Sequence, residues 1–448
     1  MPRVRKSTSS GSWHAWYGLF LLLGVYVNSF IDRSILNLLI GPIRSTTGFS
    51  DSQVGFLMGP AFAVFYTLAG LPLGWAADRM SRRWLIVIGQ AFWSLASMAF
   101  GLGRSFVQLA GARIAVGVGE ASLTPAAYTM IADLFPAPKL GRALSVYSMG
   151  ISLGGGLASI LGGFIIEWAG ESGTYQLPLA GERHVWQIIF FLVAIPTIPL
   201  TILILTTLPE PIRRELGGRK LAKLARHEFW PFWRANVRAF ISHNLGFGML
   251  ALSGYATLAW IPELFIRIHG WDRAFTGKAI GAGSLFAGIL GLYFGGWLGD
   301  FLARRGRLDS KLRVGIAAAL LWLPFGIILP LAPNGRLAFA LWLPVSFAAA
   351  MPWGAAAAAL QELVPNSMRG QASAVYLFVI NLVGLGLGPQ LLPLVSDFVF
   401  RDETQIHLSL LCVTLIAELG AIGLLLSGGS AFRRAMKHGA KLRAGAGS

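Results

Sequence analysis

"GFSDSQVGFLMGPAFAVFYTLAGLPLGWAADRMSRR", residues 48–83, returns later in the chain as "GWDRAFTGKAIGAGSLFAGILGLYFGGWLGDFLARR", residues 270–305. A second pair, "DLFPAPKLGRALSVY" from Asp133 and "ELVPNSMRGQASAVY" from Glu362, repeats at nearly the same offset. Repeats separated by an even number of membrane crossings run through the bilayer in the same direction. The sequence therefore predicts two parallel, pseudo-symmetric halves around a central cavity, which is a plan that transporters use.

The composition supports an all-α membrane protein. Of the 448 residues, 55% are hydrophobic and only 13% are charged, whereas soluble domains are nearer a quarter charged. A β-barrel is excluded, because its strands alternate polar and apolar residues in runs of about ten. A spanning helix needs about 20 mostly apolar residues. We predict twelve such helices, at residues 15–40, 52–76, 84–102, 105–133, 141–168, 186–207, 238–266, 274–300, 312–332, 336–362, 370–396 and 405–428.

The net charge of +17 is distributed unevenly along the chain. Of the 37 Lys and Arg residues, 27 fall in the termini and in the connections on the same side as the termini. Cytoplasmic segments carry such an excess, so we expect both termini in the cytoplasm and no nucleic-acid partner. The single cysteine, Cys412, excludes an intramolecular disulfide and a cysteine-based metal site. With no metal-binding motif and no P-loop in the sequence, we expect neither an enzyme nor a nucleotide-driven pump.

The domain prediction follows from the repeat. Residues 1–208 form one six-helix bundle, residues 209–237 a cytoplasmic linker, and residues 238–448 a second bundle with a cytoplasmic tail. The linker contains "RKLAKLARHEFWPFW", residues 219–233. Two interpretations stay open for this stretch: a solvated linker that contributes to the charge asymmetry, or an amphipathic helix on the inner leaflet.

Four charges interrupt the apolar runs of the N-terminal half: Asp32, Arg33, Arg113 and Glu120. Each charge in the bilayer centre costs roughly 2.5–3.5 kcal/mol on insertion scales, so the four must face a wet cavity or pair with one another. Arg113 and Glu120 lie two turns apart on one helical face, too far apart to contact each other. Pairs of Asp32 with Arg113 and of Arg33 with Glu120 are geometrically open. Such charges indicate a coupling and substrate site; the alternative is a structural ion-pair network.

The loop after the second predicted helix resembles the loop signature of the major facilitator superfamily, and its repeat does too. In both, a glycine can allow close helix approach, and an aspartate one turn later can meet a facing helix end or an arginine. We interpret the two loops as conformational latches rather than as topology signals alone. The latch residues are Gly74, Asp78, Arg82 and Arg83 in the first loop, and Gly296, Asp300, Arg304 and Arg305 in the second.

"FIDRSIL", "FWSLAS" and "ARIAVGVGEASLTPAAYTMIADLFP" resemble the spinster branch of this superfamily, and the resemblance is densest over residues 20–165. It implies a bacterial inner-membrane exporter of lipids with a phosphate or zwitterionic head, such as lysophospholipids or sphingosine-1-phosphate. Asp32 and Glu120 would then couple transport to protons, while Arg33 and Arg113 would bind substrate. The proton is the expected coupling ion, with no other cofactor, and the expected assembly is a monomer.

Other interpretations remain. Gly155 stands where drug/proton antiporters have proline, which weakens that assignment. An organic-anion/proton symporter is the second candidate, and a non-transporting sensor or a passive scramblase represents a different class. Four residues of the C-terminal half are candidates for the cavity lining, with a packing role as the alternative: Trp260, Glu263, Tyr376 and Asn381. Glu418 is either a functional acid or a structural one.

Overall fold

The structure is a computed structural model that describes residues 12–171, 173–178, 181–211, 229–365 and 368–445. Within these residues, eleven helices are long and apolar enough to cross a membrane. Most of the predicted linker, including most of "RKLAKLARHEFWPFW", lies outside the described residues. The N-terminal half of the molecule comprises the described residues up to 211, and the C-terminal half comprises those from 229.

The described part of the N-terminal half contains eleven α-helices, one 3₁₀ turn (Leu36–Leu38) and one short hairpin. The strands β1 (Thr174–Leu177) and β2 (Gly181–His184) pair antiparallel between the fifth and sixth predicted spans. The helices are α1 (Ser12–Ile35), α2 (Ile40–Thr47), α3 (Asp51–Met58), α4 (Pro60–Ala77), α5 (Arg82–Leu102), α6 (Phe106–Glu120), α7 (Leu123–Leu134), α8 (Ala137–Ser148), α9 (Gly150–Ala169), α10 (Val185–Ala194) and α11 (Thr197–Thr207).

The C-terminal half consists of longer helices interrupted by π-helical turns. The π-helical segments are Leu264–Ile268, Ile380–Leu387 and Val395–Phe400. Such turns arise where the regular hydrogen-bond ladder shifts by one residue, and they occur often at functional sites. The helices are α12 (Val237–Glu263), α13 (Arg273–Arg304), α14 (Ser310–Ile328), α15 (Gly335–Ala350), α16 (Pro352–Leu363), α17 (Arg369–Val379), α18 (Gly388–Leu394) and α19 (Ile406–Gly445).

Several helices begin where a short polar residue precedes an apolar run. The side chain of that residue accepts a hydrogen bond from a backbone N–H that the first turn would otherwise leave unpaired. At Ser50 the arrangement is reciprocal, because the Gln53 side chain also accepts from the Ser50 backbone. The caps with this side-chain bond include Ser50, Ser81, Ser105, Asp272 and Asn334. Local sequence thus fixes where these spans start.

The fourth predicted span is built from two helices. α6 has 15 residues and α7 has 12, and residues 121–122 separate them. Neither piece alone reaches the about 20 residues that a bilayer crossing requires. The number of spanning helices, judged by length and composition, is therefore eleven in the described chain, and twelve stays a prediction. Glu120 is the last residue of α6, so the break directly follows the buried acid.

The two halves contact each other through backbone as well as side chains. α9 and α13 pack along each other between the halves. A Cβ atom built on Gly281 would lie 2.6 Å from the carbonyl oxygen of Gly156. On the other side of the bundle, a Cβ on Gly59 of the segment before α4 would collide with the carbonyl oxygen of Gly386. Small residues are needed at both crossings because the opposing atoms are main chain and cannot rotate away.

We therefore expect Gly281→Ala to disturb the junction between α9 and α13. The added methyl would meet the backbone of Gly156 and Ile160, and such overpacking typically costs about 1–3 kcal/mol. Thermal unfolding of the purified protein in detergent measures the loss. Gly111→Ala is the matched control, because a Cβ there meets nothing within 4 Å. Equal unfolding temperatures for the two variants would show that this contact is not tight.

Candidate functional site

A cavity of about 170 Å³ lies between the two halves. Its N-terminal wall carries Arg33 and Arg113, the charged side chains among its described lining residues. Its C-terminal wall is mostly apolar and aromatic, and includes Tyr255, Leu258, Ile261, Trp322, Trp342, Val345 and Trp353. The cavity therefore has one cationic wall and one wall suited to hydrocarbon.

Arg33 on α1 is held by one acid and three aromatic rings. Its Nε donates to Glu120 Oε2 at 2.5 Å. Its guanidinium carbon lies 4.6–4.8 Å from the ring centres of Phe30, Phe62 and Tyr66. Cation–π attraction strengthens when water is excluded, and the Arg33 side chain is only 12% exposed. The rings thus fix the guanidinium at the edge of the cavity.

Arg113 on α6 is buried more deeply and retains unused donor capacity. Its Nε donates to the carbonyl oxygen of Leu57 at 3.2 Å. Its Nη1 has no hydrogen-bond partner among the described residues, although it is buried. The Phe62 ring lies 5.5 Å from its guanidinium carbon, so one ring serves both arginines. A buried, unpaired donor on a cavity wall is costly unless a ligand satisfies it.

The two acids lie behind the arginines rather than in the described lining of the cavity. Asp32 accepts a hydrogen bond from Ser97 on α5, and its other oxygen has no partner among the described residues. Glu120 holds Arg33 with one oxygen, and its second is likewise unpartnered in the described chain. Of the two pairs considered from the sequence, the structure contains Arg33 with Glu120. Within the described residues Asp32 and Arg113 form no ion pair, although their charges still act on each other.

A network of charges joins the halves at the end of the bundle opposite the chain termini. We call it the far-end network. Arg267 grips Asp51 with two parallel hydrogen bonds, of 2.6 and 2.9 Å. Such bidentate pairs combine strength with defined geometry. Three further pairs cross between the halves here: Arg44–Glu403, Arg273–Glu171 and Lys278–Glu167.

Glu263 lies at the buried centre of the far-end network. It is 1% exposed and accepts hydrogen bonds from Arg267 Nε, at 2.6 Å, and from Arg273 Nη1. The same Arg273 nitrogen donates to the carbonyl oxygen of Leu38 in the opposite half, at 2.9 Å. Breaking one partner of a buried pair leaves an uncompensated charge, so this end is firmly closed.

The first latch loop, at the terminal end, binds within its own half. Arg82 is 2% exposed; it pairs with Asp133, and its Nε donates to Glu210 at 2.8 Å. Glu210 also accepts from the Ser81 hydroxyl and from the backbone N–H of Arg83. The loop thereby anchors the chain as it leaves α11.

The rest of the first latch loop is more open. Asp78 follows directly after α4. A Cβ on Gly74 would have its nearest neighbour at 3.9 Å, in Pro125. The close helix approach expected at this glycine is therefore not present in the described structure.

The second latch loop also binds within its own half. Lys311 donates to Asp300 at 2.7 Å, and the guanidinium of Arg305 lies 4.3 Å from the ring centre of Phe301. Arg304 ends α13 and is exposed. Gly296 has open space around its Cβ direction, so close approach is not present here either. The ion pairs described at this end each join two residues of one half.

Glu210 gives the first latch loop a defined response to pH. Partial burial alone would raise the pKa of Glu210, but hydrogen bonds from Arg83, Arg82 and Ser81 outweigh burial and hold this pKa below its usual range. A lowered pKa means that the ionised form stabilises the fold above the ordinary carboxyl pKa of about 4.3. The contribution of the ionised carboxylate to stability is lost as the pH falls below that value and then below the lower pKa of Glu210 in the folded protein.

We therefore expect Glu210→Gln to unfold at a lower temperature than wild type at pH 7. The gap should narrow as the pH falls below about 4.3 and close once the wild-type carboxyl also becomes neutral, at its lowered pKa. Because Glu210 is partly exposed, the difference should not exceed about 1 kcal/mol. Glu182→Gln, at an exposed hairpin position, controls for a general loss of charge. A gap that does not change with pH would contradict this account.

The remaining predicted lining residues lie elsewhere in the C-terminal half. Trp260 is buried, and its Nε1 donates to the carbonyl oxygen of Pro389 at 2.8 Å. Tyr376 borders a smaller cavity of about 10 Å³. Asn381 lies in the π-helical segment Ile380–Leu387. Together with Glu263, none of them belongs to the described lining of the central cavity.

The sequence did not single out several residues that shape the site. Phe62 and Tyr66 stand one turn apart on α4 and form much of the aromatic enclosure of Arg33. Ser97 supplies the partner of Asp32. The charges of the far-end network, such as Asp51 and Arg267, stand at span ends and resemble ordinary loop charges in the sequence.

An all-helical membrane bundle with a central cavity between two halves and a closed network at one end is the architecture of a membrane transporter. The profile of the Major Facilitator Superfamily matches residues 22–389. The chain belongs to this superfamily.

Comparison with individual proteins places the similarity more finely. The chain is 27% identical to protein spinster homolog 1 of Homo sapiens, over 89% of this chain and 77% of that protein. It is 24% identical to a probable L-galactonate transporter of Escherichia coli K12, over 90% and 87%. The crystal structure of a bacterial homolog of the human lysosomal transporter spinster, inward-facing and unoccupied, superposes with a TM-score of 0.78 at 25% identity, covering 96% of this chain and 99% of that one.

Proposed function

We propose that this protein is a proton-coupled secondary transporter of an amphiphilic lipid with an anionic head, such as a lysophospholipid or a sphingosine-1-phosphate-like molecule. The observation that carries the proposal is the division of the central cavity, with two arginines on one wall and apolar and aromatic side chains on the other. An amphiphile is the class of small molecule that has the same division.

The anionic head binds at the cationic wall. Arg113 has a donor at Nη1 that no described residue occupies, and Arg33 gains donors for a ligand if Glu120 releases it. Guanidinium groups bind phosphate through paired N–H donors and are weakly hydrated, which suits a partly buried site. The acyl chain lies against the opposite wall, near Leu258, Trp342 and Val345.

Protons act on the two acids behind the arginines. Protonation of Glu120 removes the charge that holds Arg33 and frees its guanidinium. Protonation of Asp32 removes the negative charge near Arg113, so that an anionic head becomes the favoured partner of Arg113. A proton can shift the balance between conformations only by binding one of them better than the other, and these pairs provide that difference.

The far-end network and the latch loops are the two gates of an alternating-access cycle. The far end is closed by ion pairs between the halves, while the described latch-loop contacts stay within each half. We propose that this conformation corresponds to the inward-facing state of its solved relative. The protein would then lie in the bacterial inner membrane with both termini in the cytoplasm, as the charge asymmetry predicts.

A small organic anion is the second candidate substrate. Two arginines on one wall of a cavity of about 170 Å³ can also bind the carboxylate of a compact solute. The similarity to a probable L-galactonate transporter supports this candidate. A compact anion would not use the aromatic wall, and this separates the two candidates experimentally.

Uptake by purified protein in liposomes tests the proposal. Labelled lysophospholipid and labelled galactonate are offered separately, with and without an imposed pH gradient, to wild type and to Trp342→Ala. We expect gradient-stimulated uptake of lysophospholipid, reduced in the variant because its aromatic wall is truncated. Uptake of galactonate alone, unchanged in Trp342→Ala, would favour the second candidate. Lipid movement that is equal with and without the gradient would exclude proton coupling.

A further inference from the structure

One buried acid in the C-terminal half plays no part in the site described so far. Glu418, on α19, is completely buried. The Ser253 hydroxyl of α12 approaches its carboxyl, but neither carboxyl oxygen has a partner with full hydrogen-bond geometry among the described residues. Among these residues no Lys, Arg or His forms an ion pair with it. An ionised carboxylate in such surroundings is strongly disfavoured, and a buried acid without a cation ordinarily carries a proton instead.

Three polar side chains near Glu418 are also incompletely satisfied. Ser253 of α12 faces the carboxyl, and Thr257 follows Ser253 by one turn. On α14, the side chain of Trp322 lies next to Gly326. The side chain of Thr414 on α19 lies next to the same glycine, and Thr414 is one turn from Glu418. Thr257 Oγ1 and Trp322 Nε1 are buried without hydrogen-bond partners in the described chain, and the approach of Ser253 Oγ to Glu418 falls short of full hydrogen-bond geometry.

This polar group extends to the central cavity. Thr257 and Trp322 both belong to the cavity lining, whereas Ser253 and Glu418 lie behind it. Unsatisfied polar atoms therefore continue from the cavity wall to a buried acid. This arrangement is unusual in a wall that is otherwise apolar, because each unsatisfied polar atom has a cost that packing alone does not repay.

No other charge on the neighbouring helices accounts for Glu418. α12 carries Arg238, His243 and Glu263, of which the nearer two are ten residues from Ser253, about 15 Å along a helix axis. Tyr255 lies two residues after Ser253, so it points to a different helix face and into the cavity.

The charges of the other packed helices are also distant or engaged. On α14, Lys311 is paired with Asp300 and Arg313 with Asp309, and both lie at least nine residues from Trp322, about 13 Å along the axis. Asp397 accepts from Ser52, and Glu403 pairs with Arg44.

We propose that Glu418 is a second proton-binding residue of the transport cycle, situated in the C-terminal half and reached from the cavity through Thr257 and Trp322. The inference rests on the proposed proton coupling, because it assigns a further proton site to the same cycle. In the conformation described here Glu418 is protonated, and it exchanges its proton when movement of α12 against α14 and α19 lets water reach it from the cavity.

Infrared spectroscopy and paired flux measurements test the inference on the full-length protein. The pH-dependent infrared spectrum is recorded for wild type, Glu418→Gln and Glu418→Asp. Uptake of labelled lysophospholipid and proton entry, reported by an enclosed pH-sensitive dye, are measured together in liposomes. Glu182→Gln serves as a matched control at an exposed position, and thermal unfolding confirms that each variant is folded.

We expect a protonated-carboxyl band at neutral pH in wild type and its loss in Glu418→Gln. We also expect Glu418→Gln to move one proton fewer per substrate, and Glu418→Asp to retain the wild-type ratio. If Glu418→Gln has the same infrared spectrum and moves the same number of protons per substrate as wild type, the inference is wrong, while the proposed function stands. Uptake by wild type that moves no protons would overturn both, so the two failures are distinguishable.

Discussion

Asp32→Asn is expected to abolish pH-gradient-driven accumulation of substrate while leaving substrate binding measurable. Asparagine has the same shape and can still accept the hydrogen bond from Ser97, but it cannot take up or release a proton. Arg113 then lacks its nearby negative charge throughout the cycle. We expect gradient-driven uptake to fall by about 10- to 100-fold, the range that typical coupling free energies span.

The measurement compares initial uptake rates in liposomes with equilibrium binding of the same labelled lysophospholipid in detergent. Ser97→Ala is the matched control, because it removes the hydroxyl partner and leaves the carboxylate in place. We expect this control to retain gradient stimulation. A variant Asp32→Asn that accumulates substrate as wild type does would exclude Asp32 as a coupling residue and leave Glu120 and Glu418 to be tested.

Asp51→Asn is expected to open the far end of the transporter. Asp51 is buried and holds Arg267 through two hydrogen bonds across the halves. Its neutralisation leaves Arg267 and Arg44 with fewer partners. Loss of one partner of a fully buried pair costs about 3–5 kcal/mol. Because Arg267 is partly exposed, we expect a smaller shift, about tenfold toward the conformation that is open at this end.

Accessibility of one cavity cysteine measures this shift. In a Cys412→Ser background, Ser346 of the cavity lining is replaced by cysteine and labelled with a membrane-impermeant maleimide from either face of sealed vesicles. Asp51→Asn should label faster from the far-end face. Glu167→Gln is the control, because its pair with Lys278 also joins the halves but is largely exposed, and exposed pairs contribute little. Labelling of Asp51→Asn that is no faster than labelling of Glu167→Gln would show that the pair of Asp51 with Arg267 does not hold the gate closed.

The sequence predicted the outline of the fold well because two of its signals are local. Apolar runs predicted twelve spans, and the described chain contains eleven helices that are long and apolar enough to cross a membrane. The superfamily was identified from the repeated loops around Asp78 and Asp300 and is confirmed by the family match. The split of the fourth span was not predicted, because hydropathy does not report whether residues 121–122 continue a helix.

The details of the site were less predictable because they depend on helix rotation and on distant contacts. Arg33 and Glu120 meet as the sequence allowed, whereas Asp32 accepts from Ser97. The choice between Ser97 and Arg113 depends on how α5 and α6 are turned against α1. Asp51 and Arg267 are 216 residues apart, and only the packing of two span ends brings them together.

The contact between α9 and α13 has a mechanical consequence. Where Gly281 meets Gly156, main-chain atoms of the two halves touch without an intervening side chain. Such a contact requires no rotamer change when one half tilts against the other. In the proposed cycle the ion pairs of the far-end network break during that tilt, whereas the contact between Gly281 and Gly156 can persist throughout it. In the proposed alternating-access cycle, the crossing of α9 and α13 therefore provides an axis about which one half can rotate against the other.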